Sequence, residues 1–230
     1  MCIRDRDSSR DHRPVDLSRA SCDLKNVNRR RFLIGLPLAL SACAGQEVWA
    51  PDDVIARAIY REPGRNYMTL YTMKGIENDR GAHTALLINA SQRIMFDPAG
   101  SWSQEVMPER NDVLFGVTPR LEDYYVSFHA RVTFYVIGQT VEVSPEVAEQ
   151  AFNLSLKAGP VAPSYCARVT SGLLRQLPGF SGISQTWDPN KIAADYAKLP
   201  DVVTREYREN DDDDKSIAAA RINAVLTAGQ

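Results

Sequence analysis

Cys166 stands where a cysteine can serve as a nucleophile. Ser164 reads as the N-cap of a helix running to about Leu177, which puts Cys166 in its first turn. Free N–H groups and the positive end of the helix dipole favour a thiolate there. Val169, Leu173 and Leu177 follow Cys166 on one helical face, so the sulfur points toward the body of the protein. The competing assignment is a small cysteine packed in the core.

A thiolate nucleophile works with a base, and the chain beyond residue 43 has two histidines, His83 and His129. His83 lies where Gly81-Ala82 passes into a predicted strand, Thr84 to Ile88. A further strand, Arg93 to Phe96, follows the turn-like Asn89-Ala90-Ser91-Gln92, and the two predict an antiparallel hairpin. With a loop of Asn89 to Ser91, Ile88 faces Gln92 and His83 faces Asp97, on one face of the sheet. Asp97 would then orient the imidazole, and Cys166, His83 and Asp97 would form a nucleophile, base and orienter. His129 is the alternative base, or else a hydrogen-bonded structural residue. Two histidines far apart, with no Cys or His pair at ligand spacing, predict no metal site, and no cofactor is expected.

The surrounding elements predict an α+β fold in which an antiparallel sheet packs against helices. Pro51-Asp52-Asp53 opens a helix; Asn66 to Met73, Arg131 to Ile137 and Thr140 to Val143 have strand character. Pro98 to Thr118 reads as a long surface connection with at most one short strand at Val113 to Phe115. The strongest helix signal is Ser144-Pro145-Glu146, ending at Gly159, with Val147, Ala151, Leu154 and Ala158 on its apolar face. Lys191 to Leu199 predicts a helix, Asp211 to Asp214 a solvated charge run, and Ser216 to Leu226 a terminal helix.

Ahead of this lies an export signal. Arg29-Arg30-Arg31 precede an apolar stretch, Phe32 to Ala42, too short to span a bilayer. Arg29 and Arg30, with Phe32-Leu33 after one residue, resemble a twin-arginine signal. Leu40-Ser41-Ala42-Cys43 resembles a bacterial lipobox, which implies a diacylglycerol on Cys43 and a membrane anchor facing the periplasm. The expected organisation is an upstream extension and signal over 1–42, removed; a lipidated tether over 43–50; one domain over 51–205; and an acidic tail with a terminal helix over 206–230.

The 230 residues carry 27 Lys/Arg and 29 Asp/Glu, of which nine and five precede Cys43, leaving a net charge of −6 on the remaining 188. Such an acidic balance argues against a nucleic-acid partner. With Cys43 acylated, Cys166 is the one thiol left beyond the signal, and no disulfide framework is expected.

The order of elements resembles the circularly permuted papain-like hydrolases of the NlpC superfamily. It runs from Ala82-His83-Thr84-Ala85 on a strand and Asp97 on the next, through more strands and a long helix, to Tyr165-Cys166 opening a helix. The resemblance covers about residues 65 to 180. It implies a thiol hydrolase or acyltransferase acting on an amide or ester bond, such as a peptide, a peptidoglycan stem or an acyl amide. Cys166 would attack, His83 would shuttle the proton, Asp97 would hold His83, and the Cys166 N–H would contribute to an oxyanion hole. Ala167 departs from the group's frequent Cys-Ser pairing, and the segment before Cys166 lacks its Tyr-Asp. The alternative is an inactive envelope lipoprotein using the same fold as a binding module.

Overall fold

The computed structural model describes residues 45, 47–100, 102 and 106–227; Arg29, Arg30 and Cys43 lie outside them. Seven strands, β1 (Tyr67–Gly75), β2 (Gly81–Asn89), β3 (Arg93–Phe96), β4 (Glu109–Arg110), β5 (Val113–Phe115), β6 (Phe134–Glu142) and β7 (Val203–Tyr207), form one sheet. Its order is β4-β5-β3-β2-β1-β6-β7, and every neighbouring pair is antiparallel. The described residues also form six helices: α1 (Asp52–Ala58), α2 (Pro119–His129), α3 (Pro145–Lys157), α4 (Cys166–Leu174), α5 (Pro189–Tyr196) and α6 (Lys215–Thr227). The fold is mixed α+β. None of the described helices is long and apolar enough to cross a membrane.

Helices cover both faces of the sheet, which is why β1 and β2 are buried along continuous runs instead of alternating with solvent. On the front, α3, α4 and α5 lay Ala148, Phe152, Leu173 and Tyr196 against Leu70, Leu86, Ile88 and Phe96. On the rear, α2 and α6 cover Tyr71, Ala85 and Leu87 with Tyr125, Phe128, Ala218 and Ile222.

Several sequence expectations are corrected. Helix α2 occupies a stretch in which no helix was expected: the Thr118 hydroxyl accepts from the Leu121 N–H at 3.3 Å, and Pro119 takes the first helical position. The 98–118 connection is not confined to the surface, because β4 and β5 extend the sheet and Val113, Leu114 and Val117 are buried. One strand, β6, runs unbroken through Gly138, where two were expected. A Cβ there would stand 3.0 Å from the Tyr71 ring, so the aromatic neighbour favours glycine in mid-strand. The buried face of α3 is Ala148, Ala151, Phe152 and Ser155, one position round from the expected face, with Val147 and Leu154 at its margin. Ser164 does not cap α4. It sits at φ +71°, and the helix begins at Cys166 itself, with Tyr165 in the cap position making no side-chain cap bond. Strand β7 was not anticipated; it is an exposed edge strand.

One buried charge ties β3 to α2. Arg93 is 2% exposed and pairs with Glu122, while donating to the Val117 carbonyl at 2.6 Å and the Tyr67 hydroxyl at 2.9 Å. Glu122 also accepts from the Tyr71 hydroxyl. Removing one member of such a pair strands the other in low dielectric. Glu122→Ala is therefore expected to destabilise the fold by about 3 kcal/mol, read from the midpoint of urea denaturation at constant slope.

Candidate active site

The β2–β3 hairpin pairs Ile88 with Ile94 and Asn89 with Arg93 around a loop of Ala90 to Gln92, closed by Ala90 N–H to the Gln92 carbonyl at 3.0 Å. The expected pairing of Ile88 with Gln92, and with it His83 directly opposite Asp97, is thus displaced by two residues. The loop begins one residue later than expected and ends one residue later. A slip of two preserves the face, because side chains alternate with a period of two. Asp97 therefore stays on the His83 side, diagonally placed just past the end of β3, and the two side chains meet: His83 Nε2 lies 2.6 Å from Asp97 Oδ1.

A β-bulge shapes the start of β2. Met73 pairs with His83, but Lys74 pairs with Gly81, so Ala82 is the extra residue. Bulges bend a strand and increase its twist, and this one re-aims the chain beside His83. Cys166, the first residue of α4, belongs to the front layer, whereas His83 shares its strand face with Ala85 and Leu87 of the rear core. The layers meet at the start of β2, where the Cys166 thiol hydrogen-bonds His83 and accepts from the backbone N–H groups of Thr84 and Ala167. With Nε2 held by Asp97, Nδ1 is the ring nitrogen that serves the sulfur.

Tyr125 and His129, one turn apart on α2, complete the rear wall. The Tyr125 hydroxyl donates to Asp97 Oδ1 at 2.8 Å. His129 Nδ1 lies 2.8 Å from the Tyr125 carbonyl, and its ring stacks near that of His83, with centroids 6.3 Å apart. The structure thus brings Cys166, His83 and Asp97 together and places His129 behind His83. Tyr125 was missed in the sequence along with its helix; Thr118-Pro119 followed by Glu122 is the capping signal that would have found it.

Charge follows the geometry. Burial disfavours the His83 imidazolium, but the Asp97 charge and hydrogen bond outweigh it, and with the Cys166 thiol they raise His83 to about 10. Burial pushes Asp97 up; the His83 charge and hydrogen bond, helped by His129 and the Tyr125 hydroxyl, bring it below its usual range. Burial likewise opposes the Cys166 thiolate, and His83 with the Thr84 and Ala167 N–H groups lowers the thiol nonetheless. For His129 burial prevails and, with the neighbouring His83 charge, holds it down at about 4, so it is neutral. Among the described residues no group of three His, Cys, Asp or Glu side chains could hold a metal ion.

Two backbone devices hold Asp97 and the approach to Cys166. The Asp112 carbonyl accepts from the Asp97 N–H at 2.8 Å, while the Asp112 carboxylate accepts from the Val161 N–H at 2.7 Å and from the Ala99 N–H. One residue therefore ties the loop after Asp97 to the loop leading into α4. Gly100 closes against the Asp97 carboxylate: a Cβ there would stand 2.0 Å from Asp97 Oδ2. Gly100→Ala must displace Asp97, and Asp97→Asn removes its charge. Each is expected to bring the His83 titration, followed by NMR of the ring protons, down by about 1 to 3 pH units, with far-UV circular dichroism unchanged. Set beside protein-family models, curated proteins and solved structures, the chain matches none of them.

Proposed function

We propose that this protein is a cysteine hydrolase or acyltransferase of the permuted papain-like type, held at the bacterial envelope by a lipid on Cys43. The observation that carries the reading is the line Cys166–His83–Asp97, assembled from residues far apart in sequence, with Cys166 and Asp97 buried and His83 between them at the edge of a cavity. A strand histidine that precedes a helix-borne cysteine, on an antiparallel sheet covered by helices, supports the permuted arrangement.

In the resting site the proton sits on His83 and the sulfur is a thiolate. Cys166 Sγ attacks the carbonyl carbon of an amide or ester, and the oxyanion that forms is met by the Cys166 N–H, which lies outside the hydrogen-bond ladder of α4. His83 passes its proton to the leaving nitrogen or oxygen as the C–N or C–O bond breaks, leaving a thioester. Water, or an acceptor hydroxyl or amine in a transferase, attacks the thioester while His83 takes its proton, and the thiolate is released. Asp97 keeps the imidazole oriented and its charged form stable throughout. Tyr125 holds Asp97.

A binding module remains the second reading, favoured by one observation: Cys166 is only 6% exposed. Alkylation by iodoacetamide separates the two. The hydrolase reading expects a rate that titrates below the usual thiol range near 8.5. His83→Ala should move that titration upward and cut the rate at pH 6 by about tenfold or more. Acylation should fail above about pH 10, where His83 loses its proton. Equal labelling of the two proteins would sink the triad. The anchor is tested separately: a palmitate analogue fed to expressing bacteria should label the exported chain, and Cys43→Ala should abolish the label.

A further inference from the structure

A cavity of about 410 Å³ opens beside the site, within the size range of small-ligand pockets. His83 forms part of its wall and Cys166 does not. That asymmetry has chemical meaning, because the imidazole delivers its proton to the leaving atom. Space on the imidazole side is space for the leaving group, and the acyl part of a substrate must lie on the other side of the sulfur.

Two basic side chains, Arg131 and Lys215, line the cavity. Arg131 is 4% exposed; its Nε donates to the Phe128 carbonyl and its Nη1 to Asp211, each at 3.3 Å. Lys215 holds its ammonium 4.8 Å from the Phe128 ring centre and has no hydrogen-bond or ion-pair partner among the described residues. Among the described residues the one carboxylate in the wall is Asp213, engaged by the Thr133 hydroxyl at 2.7 Å. Protonated His83 is paired with Asp97 as Arg131 is with Asp211, so Lys215 is the cation of the wall that has no carboxylate on it among the described residues. His129 contributes differently. It is neutral, and with Nδ1–H given to the Tyr125 carbonyl its remaining nitrogen, Nε2, is an acceptor.

We propose that this cavity is the subsite for the leaving amine, and that it takes an amine bearing a carboxylate, as in an N-acyl amino acid or a peptide cut next to its C-terminal residue. The assignment rests on the hydrolase reading and narrows it. Lys215 and Arg131 receive the carboxylate, and His129 Nε2 is available to an N–H of the same group.

Two alkylating reagents test it: N-bromoacetylglycine, which places a carboxylate beyond an amide, and N-bromoacetylglycinamide, which lacks the charge. Cys166 adducts are counted by mass spectrometry on the full exported chain. The expected result is a preference for the carboxylate reagent of about fivefold or more, falling to near one in Lys215→Met and retained in Lys215→Arg. Lys157→Met, which removes a surface charge on α3, should keep the preference. Fast, His83-dependent alkylation with a ratio near one, or a ratio that Lys215→Met leaves unchanged, would overturn the carboxylate assignment alone. Slow alkylation by both reagents that His83→Ala does not alter would overturn the hydrolase reading and this assignment with it.

Discussion

A carboxylate at 2% exposure is a charge the fold has to neutralise, and Asp97 is that charge. An isolated carboxylate in such a place would take up a proton and lose its use. It stays ionised because His83 and Tyr125 both bond Oδ1. Each partner needs its own support. Tyr125 is positioned by α2, which the pairing of buried Arg93 with Glu122 clamps to the start of β3, the opposite end of that strand from Asp97. The backbone of Asp97 is held by Asp112, whose carboxylate also fixes Val161 on the way to Cys166. Hairpin, rear helix and front loop are thus all registered on one acidic group.

The same group separates the two histidines. Both lie near Asp97 and both are buried, so burial disfavours a proton on either. His83 has the direct hydrogen bond and wins the proton. His129 has its Nδ1 committed to a carbonyl and lies close enough to feel the first charge, so a second proton is resisted. Neighbouring groups whose environments push their titrations apart are a way of setting one as acid and the other as acceptor. Here that division falls between a residue touching the sulfur and a residue lining the adjacent cavity.

Much of this was legible in the sequence where local rules act alone. Ser144-Pro145-Glu146 announces α3, and Asn89 to Gln92 announces the hairpin, because caps and turns are decided within a few residues. The pairing of His83 with Asp97 survived an error in register because parity, not exact register, decides the face. The misses have physical causes. Strand β7 is an edge strand with four exposed residues and no buried stripe to read. Ser164 has the side chain of a cap but the backbone of a left-handed turn, which composition does not reveal. The unbroken β6 depends on Gly138 standing directly opposite Tyr71 of the neighbouring β1, a residue distant in sequence, and that is a tertiary fact. Asp112 and Gly100 act through backbone contacts with Asp97 that no spacing rule encodes.

The placement of the sulfur and the imidazole in opposite layers explains their unequal exposure. In the proposed envelope setting a reduced thiol is open to oxidation in proportion to its thiolate character and its access to solvent. The nucleophile proposed at Cys166 cannot give up the first, so only the second is left to adjust. Cys166, at the start of a front-layer helix, is 6% exposed, while His83, on the rear face of β2, is 18% exposed and borders open space. The start of β2, which runs past the end of its pairing with β3, lets the two touch without giving the sulfur a cavity of its own. A site built from one layer would expose both groups together. Joining two layers at the bulged start of β2 shields the sulfur and leaves the imidazole bordering open space, where the proposed leaving group would meet it.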